Sequence, residues 1–198
     1  MNTVLVGAGG HAKGVAEALE LLGRPVAIYV DPIRADWLKA AHQVDDDAIA
    51  PAAGALVMGV GGVTPEALQR RLALLDRYIA RGFTAPPVVH PMAVVSPRAQ
   101  LGEGVIVLAG AVVQPDARIG RGALVNTRAL VEHDAVVGEG AHIAPGAIVL
   151  GAATVGACSM IGAGAVVLPG AAVPPMAIVA AATRHGATTR PQTERAAQ

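Results

Sequence analysis

From Val89 to Val179 every sixth residue is a branched aliphatic one, sixteen in a row without exception. The series opens with Val89, Val95, Leu101 and Val107 and closes with Ile161, Val167, Val173 and Val179. Four places after nearly every member stands a small residue, as at Ala93, Ala111, Ala129, Ala147 and Ala165. A period of six fits neither the 3.6-residue helix nor the two-residue alternation of a half-buried strand. It is the period of a parallel β-helix, in which each hexad supplies one short strand and one corner. The branched residue points inward and the small one fits the corner. Three hexads close a coil of about 18 residues, and coils stack at roughly 4.8 Å. One repeat cannot bury its apolar side alone, so stacking supplies the core. The stretch holds about five coils.

The chain has 198 residues and the period starts only near residue 89, which predicts two domains. Formal net charge is zero and aromatic residues make up 2%, a composition that excludes a nucleic-acid binder with a basic face and stacking rings. The 53% hydrophobic content is alanine and valine, and no apolar run reaches the ~18 residues of a membrane span. MNTVLVGAGG has no basic region and no cleavage site, and the single Cys158 suits a reducing compartment. The expectation is a cytoplasmic protein with no membrane insertion.

Residues 3–6 read as a buried strand running into Gly7-Ala8-Gly9-Gly10-His11, followed by a helix from about Ala12 to Leu22 that Gly23 stops. A second strand, Pro25 to Val30, ends at Asp31. This is a βαβ opening that matches the dinucleotide fingerprint loosely: glycines let backbone approach a ligand, and the helix N-terminus favours an anion. Trp37 to Gln43 is expected to be a short helix, and Asp45-Asp46-Asp47 a solvated loop. Ala55 to Gly59 reads as a third strand with Gly61-Gly62 at its end. Thr64 caps the next helix, Pro65 fills its first position, and Gly82 closes it. The expected fold is an α/β Rossmann-like domain over residues 1–85, a β-helix over 86–182 and a flexible tail over 183–198.

Polar residues are scarce in the repeats, so Asn126, Arg128, Glu132, His133, Asp134 and His142 stand out. Val131 points inward, which puts Glu132, His133 and Asp134 on the following places of one hexad. Asp116 lies 18 residues before Asp134, hence one coil below it, and Gly151 lies 18 after His133, one coil above. A carboxylate beside an imidazole orients the ring and fixes its tautomer, as a general base requires. Cys158 has no basic partner in this register and reads as small filler.

The whole chain resembles the NeuD/PglD-like hexapeptide sugar acyltransferases. The resemblance rests on GAGGHAK at 7–13, VDP at 30–32, VHPMAVVSPRAQLGEG at 89–104, VNTRALVEHDAVVGEGAHIAPGA at 125–147 and IGAGAVV at 161–167. It implies a left-handed β-helix, against the usual right-handed crossover rule, and a homotrimer with acetyl-CoA between neighbouring β-helices. It implies an N-acetyltransferase acting on a nucleotide-linked amino sugar, with no metal. His133 would be the general base, Asp134 would orient it, and Asn126 would line the same site. His142, Gly151, Gly162 and Ala163 would contact acetyl-CoA, with the Gly151 N–H on the thioester oxygen. Gly9, Gly10, His11, Asp31, Pro32 and Glu132 would contact the nucleotide sugar. The segment Val179-Ala180-Ala181-Ala182-Thr183-Arg184 departs from the family's G-x-P-A-K-like run: it has no proline, and arginine stands one step after the lysine position.

Amine attack on a thioester needs a proton acceptor and a donor for the developing oxyanion, and the residue pattern supplies both. A sialic-acid-type O-acetyltransferase would use the same base. A non-catalytic trimeric scaffold predicts binding without turnover. A zinc anhydrase needs three convergent histidines, whereas the repeats hold only His133 and His142, nine apart. A dinucleotide oxidoreductase needs both halves of a full Rossmann sheet, which 85 residues do not hold.

Overall fold

The computed structural model describes residues 2–47 and 49–186. Its N-terminal part runs β1 (Thr3–Val6), α1 (Gly10–Leu21), β2 (Val26–Val30), β3 (Ala41–Gln43), β4 (Ala55–Met58) and α2 (Pro65–Ala80). The strands form one parallel sheet in the order β3-β2-β1-β4. Every residue of β1 and β4 is buried, which is why β4 and, after Thr3, β1 read as continuous apolar runs. Thr64 caps α2, its Oγ1 accepting the Ala67 N–H at 3.3 Å, and Pro65 opens the helix. The order of the sheet reverses beside β1, so the C-terminal ends of β1 and β4 flank a crevice.

Two expectations for this part are corrected. Residues 37–43 do not form a helix: Ala41–Gln43 is the edge strand β3, paired with Ile28–Val30. Seven residues are too few to nucleate a helix unaided, while the open edge of β2 offers ladder bonds and Tyr29 stacks on His42 with ring centroids 4.9 Å apart. Asp46 is not merely solvated: Arg77 and Arg81 of the α2 end both pair with its carboxylate.

From Val88 the chain forms a parallel β-solenoid of about five turns, built from two-residue strands that pair 18 residues apart in three sheets. The first face carries Ile106–Val107, Leu124–Val125, His142–Ile143 and Met160–Ile161. The second carries Val94–Val95, Val112–Val113, Leu130–Val131, Ile148–Val149 and Val166–Val167. The third carries Arg118–Ile119, Val136–Val137 and Thr154–Val155. The six-residue series forms the core: Val107, Val125, Val131, Ile143, Val149 and Ile161 are all fully buried, with the small alanines between them. Each such side chain contributes about 1.5–3 kcal/mol of burial.

The first residues of the tail expected from residue 183 belong to the solenoid instead. Arg184–His185 pairs with Val166–Val167, and His185 Nε2 stands 3.0 Å from Ala172 O. Ladder bonding needs only backbone, so the coil closes although a histidine occupies the inward place. Residues 187–198, the rest of that expected tail, lie outside the described residues.

The sheet part covers the lower coils of the first face. Ile106, Leu108 and Leu124 share one core with Val4, Leu19, Leu75 and Tyr78. Leu75 reaches the corner at Gly104, where a Cβ would lie 2.6 Å from Leu75 Cδ2 and φ is +69°. Arg121 pairs with Asp76 at 2.6 Å across the same seam. Among the described residues no helix is long and apolar enough to cross a membrane.

Candidate active site

The residues singled out by sequence gather at three places. The first is the corner after the second face. There His133 Nδ1 lies 2.8 Å from Asp134 Oδ2. The carboxylate can only accept, so Nδ1 carries the proton and Nε2 presents its lone pair. Asp134 adopts a left-handed backbone, φ 59°, which non-glycine residues rarely adopt. The hydrogen bond to Asp134 raises the pKa of His133 above the ordinary histidine value; the charges of Asp134 and Glu132 add to this, partly offset by desolvation. Glu132 Oε2 also accepts the His133 N–H at 3.4 Å. Gly151 lies directly over the ring: a Cβ there would stand 2.9 Å from both Nε2 and Cε1 of His133. Among the described residues no backbone acceptor takes the Gly151 N–H. Asp116, one coil below, does not face His133, because Arg98 holds its carboxylate.

The second place is the seam between the sheet part and the solenoid. A cavity of about 350 Å³ there is lined by Gly10, His11, Gly61, Gly62, Asn126 and His142, among others. His142 Nδ1 lies 2.8 Å from Gly62 O, and its Nε2 lies 3.0 Å from Asn126 Nδ2. Asn126 Oδ1 accepts the Thr127 N–H at 2.8 Å. Burial lowers the His142 pKa, with the charge of Arg71 adding to it and the Gly62 bond opposing. His11 is driven down to about 4 by burial first, then by Arg71 and His142, and its Nε2 is buried without a partner. Gly162 and Ala163 occupy this same solenoid corner above Asn126, the Gly162 N–H donating to Val179 O at 2.8 Å.

The third place is the crevice at the reversal of the sheet, about 280 Å³, lined by Gly7, Asp31, Pro32, Asp45, Val60 and Tyr78 among others. Asp31 braces the glycine loop from within: its carboxylate accepts the Ala8 N–H at 2.8 Å and the Ile33 N–H at 2.9 Å. Gly9 is the N-cap of α1 and carries no side-chain cap. The expected substrate residues therefore divide, with Asp31 and Pro32 at the crevice, Gly10 and His11 at the seam, and Glu132 at the far corner.

Cys158 is buried at a corner against Gly140, and burial raises its pKa, so it is no ready nucleophile. Gly61 and Gly62, read from the sequence as the end of the third strand, line the seam cavity, whereas Thr127 and Arg71 were not singled out by sequence reasoning. For Arg71 a signal existed, since it interrupts the buried stripe Leu68, Leu75 and Tyr78 of α2.

The fold that this chain shares with solved sugar acetyltransferases makes it an acyltransferase. No protein-family model matches the chain, and no curated protein does. Among solved structures it resembles a histidine-to-asparagine variant of perosamine N-acetyltransferase from Caulobacter crescentus in complex with CoA and GDP-perosamine. The two share 34% identity with a TM-score of 0.85 over 94% of this chain and 89% of the other. The acetyltransferase domain of PglB from Neisseria gonorrhoeae matches at 29% identity and a TM-score of 0.86, over 96% of this chain and 93% of that one. The same domain in complex with acetyl coenzyme A matches at 31% identity and a TM-score of 0.84, over 91% and 88%. The chain belongs to the NeuD/PglD-like family of hexapeptide-repeat sugar acyltransferases.

Proposed function

We propose that this protein is an acetyl-CoA-dependent N-acetyltransferase acting on a nucleotide-linked amino-dideoxy sugar of the UDP-4-amino or GDP-perosamine type. The observation that carries the reading is the His133–Asp134 pair, with Nε2 free beside Gly151. The Caulobacter relative in complex with CoA and GDP-perosamine supports both substrate classes. Residues 1–85 act as a Rossmann-like nucleotide-sugar-binding domain, with the crevice at Asp31 and Pro32 taking the nucleotide. Residues 86–182 act as the left-handed β-helix that carries the transfer. In this reading the enzyme works in the cytoplasm.

His133 Nε2 takes a proton from the sugar amine as nitrogen bonds to the thioester carbonyl carbon. The Gly151 N–H donates to the oxygen that becomes negative. The C–S bond then breaks and the proton passes from His133 to the departing sulfur, which leaves amide and free CoA with no acyl-enzyme. Asp134 keeps the proton on Nδ1 and stabilises the transient imidazolium.

The active unit is a homotrimer. Val94, Val112, Leu130, Ile148 and Val166 face outward on the second face, one per coil, and none is buried. This stripe separates the His133 corner from the Asn126 corner. Packing copies along it brings His133 and Gly151 of one subunit towards Asn126, His142, Gly162 and Ala163 of the next, with acetyl-CoA between them.

The test is CoA release, followed with a thiol reagent, using UDP-4-amino sugars, GDP-perosamine and free sialic acid as acceptors. Turnover with an amino sugar, falling by about 100-fold or more in His133→Ala, is expected. Turnover with sialic acid alone would replace N- by O-acetylation. Tight nucleotide-sugar binding without turnover would identify a scaffold.

A further inference from the structure

Arg71 is the one arginine whose side chain is fully enclosed among the described residues, 2% exposed in the middle of α2. No carboxylate pairs with it there. Burying a cation without a counter-ion is costly, and a leucine or methionine would fill the same space. Burial pushes its pKa down to about 10, so the group stays charged at neutral pH. Its hydrogen bonds show what the cation holds.

Nε donates to Val60 O at 2.8 Å, and Nη1 donates to Gly122 O. Val60 belongs to the loop after β4, and Gly122 to a corner of the solenoid. One guanidinium thus ties the sheet part to the solenoid through two backbone carbonyls. Two residues beyond Val60, Gly62 O accepts from His142 Nδ1 at 2.8 Å. Between them Gly61 lies against His11, where a Cβ would stand 3.2 Å from the His11 Cβ.

The protonation pattern of His142 follows from this loop. A carbonyl only accepts, so Nδ1 carries the proton and Nε2 keeps its lone pair. Asn126 Oδ1 is occupied by the Thr127 N–H, so the Asn126 amide NH₂ faces His142 Nε2 at 3.0 Å. Its other N–H is left for a ligand in the seam cavity.

We propose that Arg71 is a positioning residue of the transfer site: by tying the Val60–Gly62 loop to Gly122 it holds His142 as the neutral Nδ1–H tautomer and aims the Asn126 amide into the cavity. Protonated His142 would turn Nε2 into a donor facing a donor and break the chain. The groups around His142 are His11 of α1, Arg71 of α2, Gly62 O of the loop and Asn126 of the solenoid corner, and burial and Arg71 both oppose that protonation. The consequence for turnover rests on the acetyltransferase reading, whereas the tautomer does not.

The test uses the full-length protein labelled with ¹⁵N-histidine, with His142 assigned by loss of its signals in His142→Gln. Long-range ¹H–¹⁵N spectra read tautomer and titration in wild type, Arg71→Met and Arg71→Lys, alongside thermal melting and steady-state kinetics. In wild type, His142 is expected to stay a neutral Nδ1–H tautomer through the range where free histidine titrates. In Arg71→Met it should populate both tautomers and titrate at higher pH, with kcat down about tenfold and KM for the sugar within about twofold. Arg71→Lys keeps the charge but cannot span both carbonyls; it should retain the low titration and lose the tautomer preference. Should Arg71→Met fail to fold, the lysine variant decides alone. An unchanged His142 tautomer in the folded variants, or a loss of kcat that only follows melting temperature, would overturn the proposal. A wild-type protein that turns over no amino sugar would sink the acetyltransferase reading and leave the tautomer result to judge Arg71.

Discussion

Nδ1 of His133 and Oδ2 of Asp134 stand 2.8 Å apart, and the aspartate makes that contact from a left-handed backbone at φ 59°. The same corner place is glycine at Gly122 and Gly140, with φ of 65° and 64°. The repeat imposes this backbone at other non-glycine corners too, as at Asp116, Arg128 and Ala152, so it belongs to the corner and not to the role of the aspartate. Asp134→Gly should therefore hold or slightly raise the melting temperature while kcat falls about 10- to 100-fold. A lower melting temperature with unchanged kcat would make Asp134 a corner-former only.

The pH profile follows from the same pair. His133 must be neutral to accept a proton, and its pKa is raised, chiefly by the Asp134 hydrogen bond. Activity should fall with decreasing pH, through a midpoint above that of free histidine. Asp134→Asn should move the midpoint of kcat/KM to lower pH. A midpoint that does not move would assign the acid limb to another group.

Gly151 offers a steric test. Its backbone is not left-handed, so alanine is tolerated there, but the added methyl would stand 2.9 Å from His133 Nε2. Gly151→Ala should melt like wild type and lose about tenfold or more in kcat, the scale of a disturbed oxyanion donor or base. Full activity would place the reacting thioester elsewhere.

His11 makes a stability prediction. Its folded pKa of about 4 lies below the unfolded value of 6.5. Between those values the unfolded chain binds more protons, so stability falls as pH drops from about 6.5 towards 4. The full effect is on the order of 3 kcal/mol. Chemical denaturation across that window should show the slope in wild type, and His11→Asn should flatten it. Equal slopes would mean that His11 ionises freely in the folded state.

Subunit mixing tests the shared site. His133→Ala and His142→Ala should each be impaired alone. If His133 of one subunit works with His142 of its neighbour, co-expressed mixed trimers regain activity, because some interfaces then carry both wild-type side chains. No recovery in verified mixed trimers would confine the site to one subunit.

Much of this was legible in residues 89–179. The inward series at every sixth place predicted the core, and the same register set Gly151 over His133, since coils repeat every 18 residues. The caps of α2 were legible too, because Thr64 and Pro65 act through local chemistry. Local reasoning failed where an edge or a partner decided. Residues 41–43 became a strand because β2 had an open edge, and Asp116 turned to Arg98 instead of His133.

By itself the sequence determined the repeat, its core and the His133–Asp134 corner, because a solenoid turns spacing along the chain directly into position in space. Only the tertiary structure decided how the sheet part sits on the first face. That packing joined His11, Gly62, Asn126 and His142 in one cavity and enclosed Arg71 between two carbonyls. Those contacts link residues up to 80 places apart, such as Gly62 and His142, with no period connecting them. They form because two apolar surfaces leave water together, and no local pattern records which surfaces those will be.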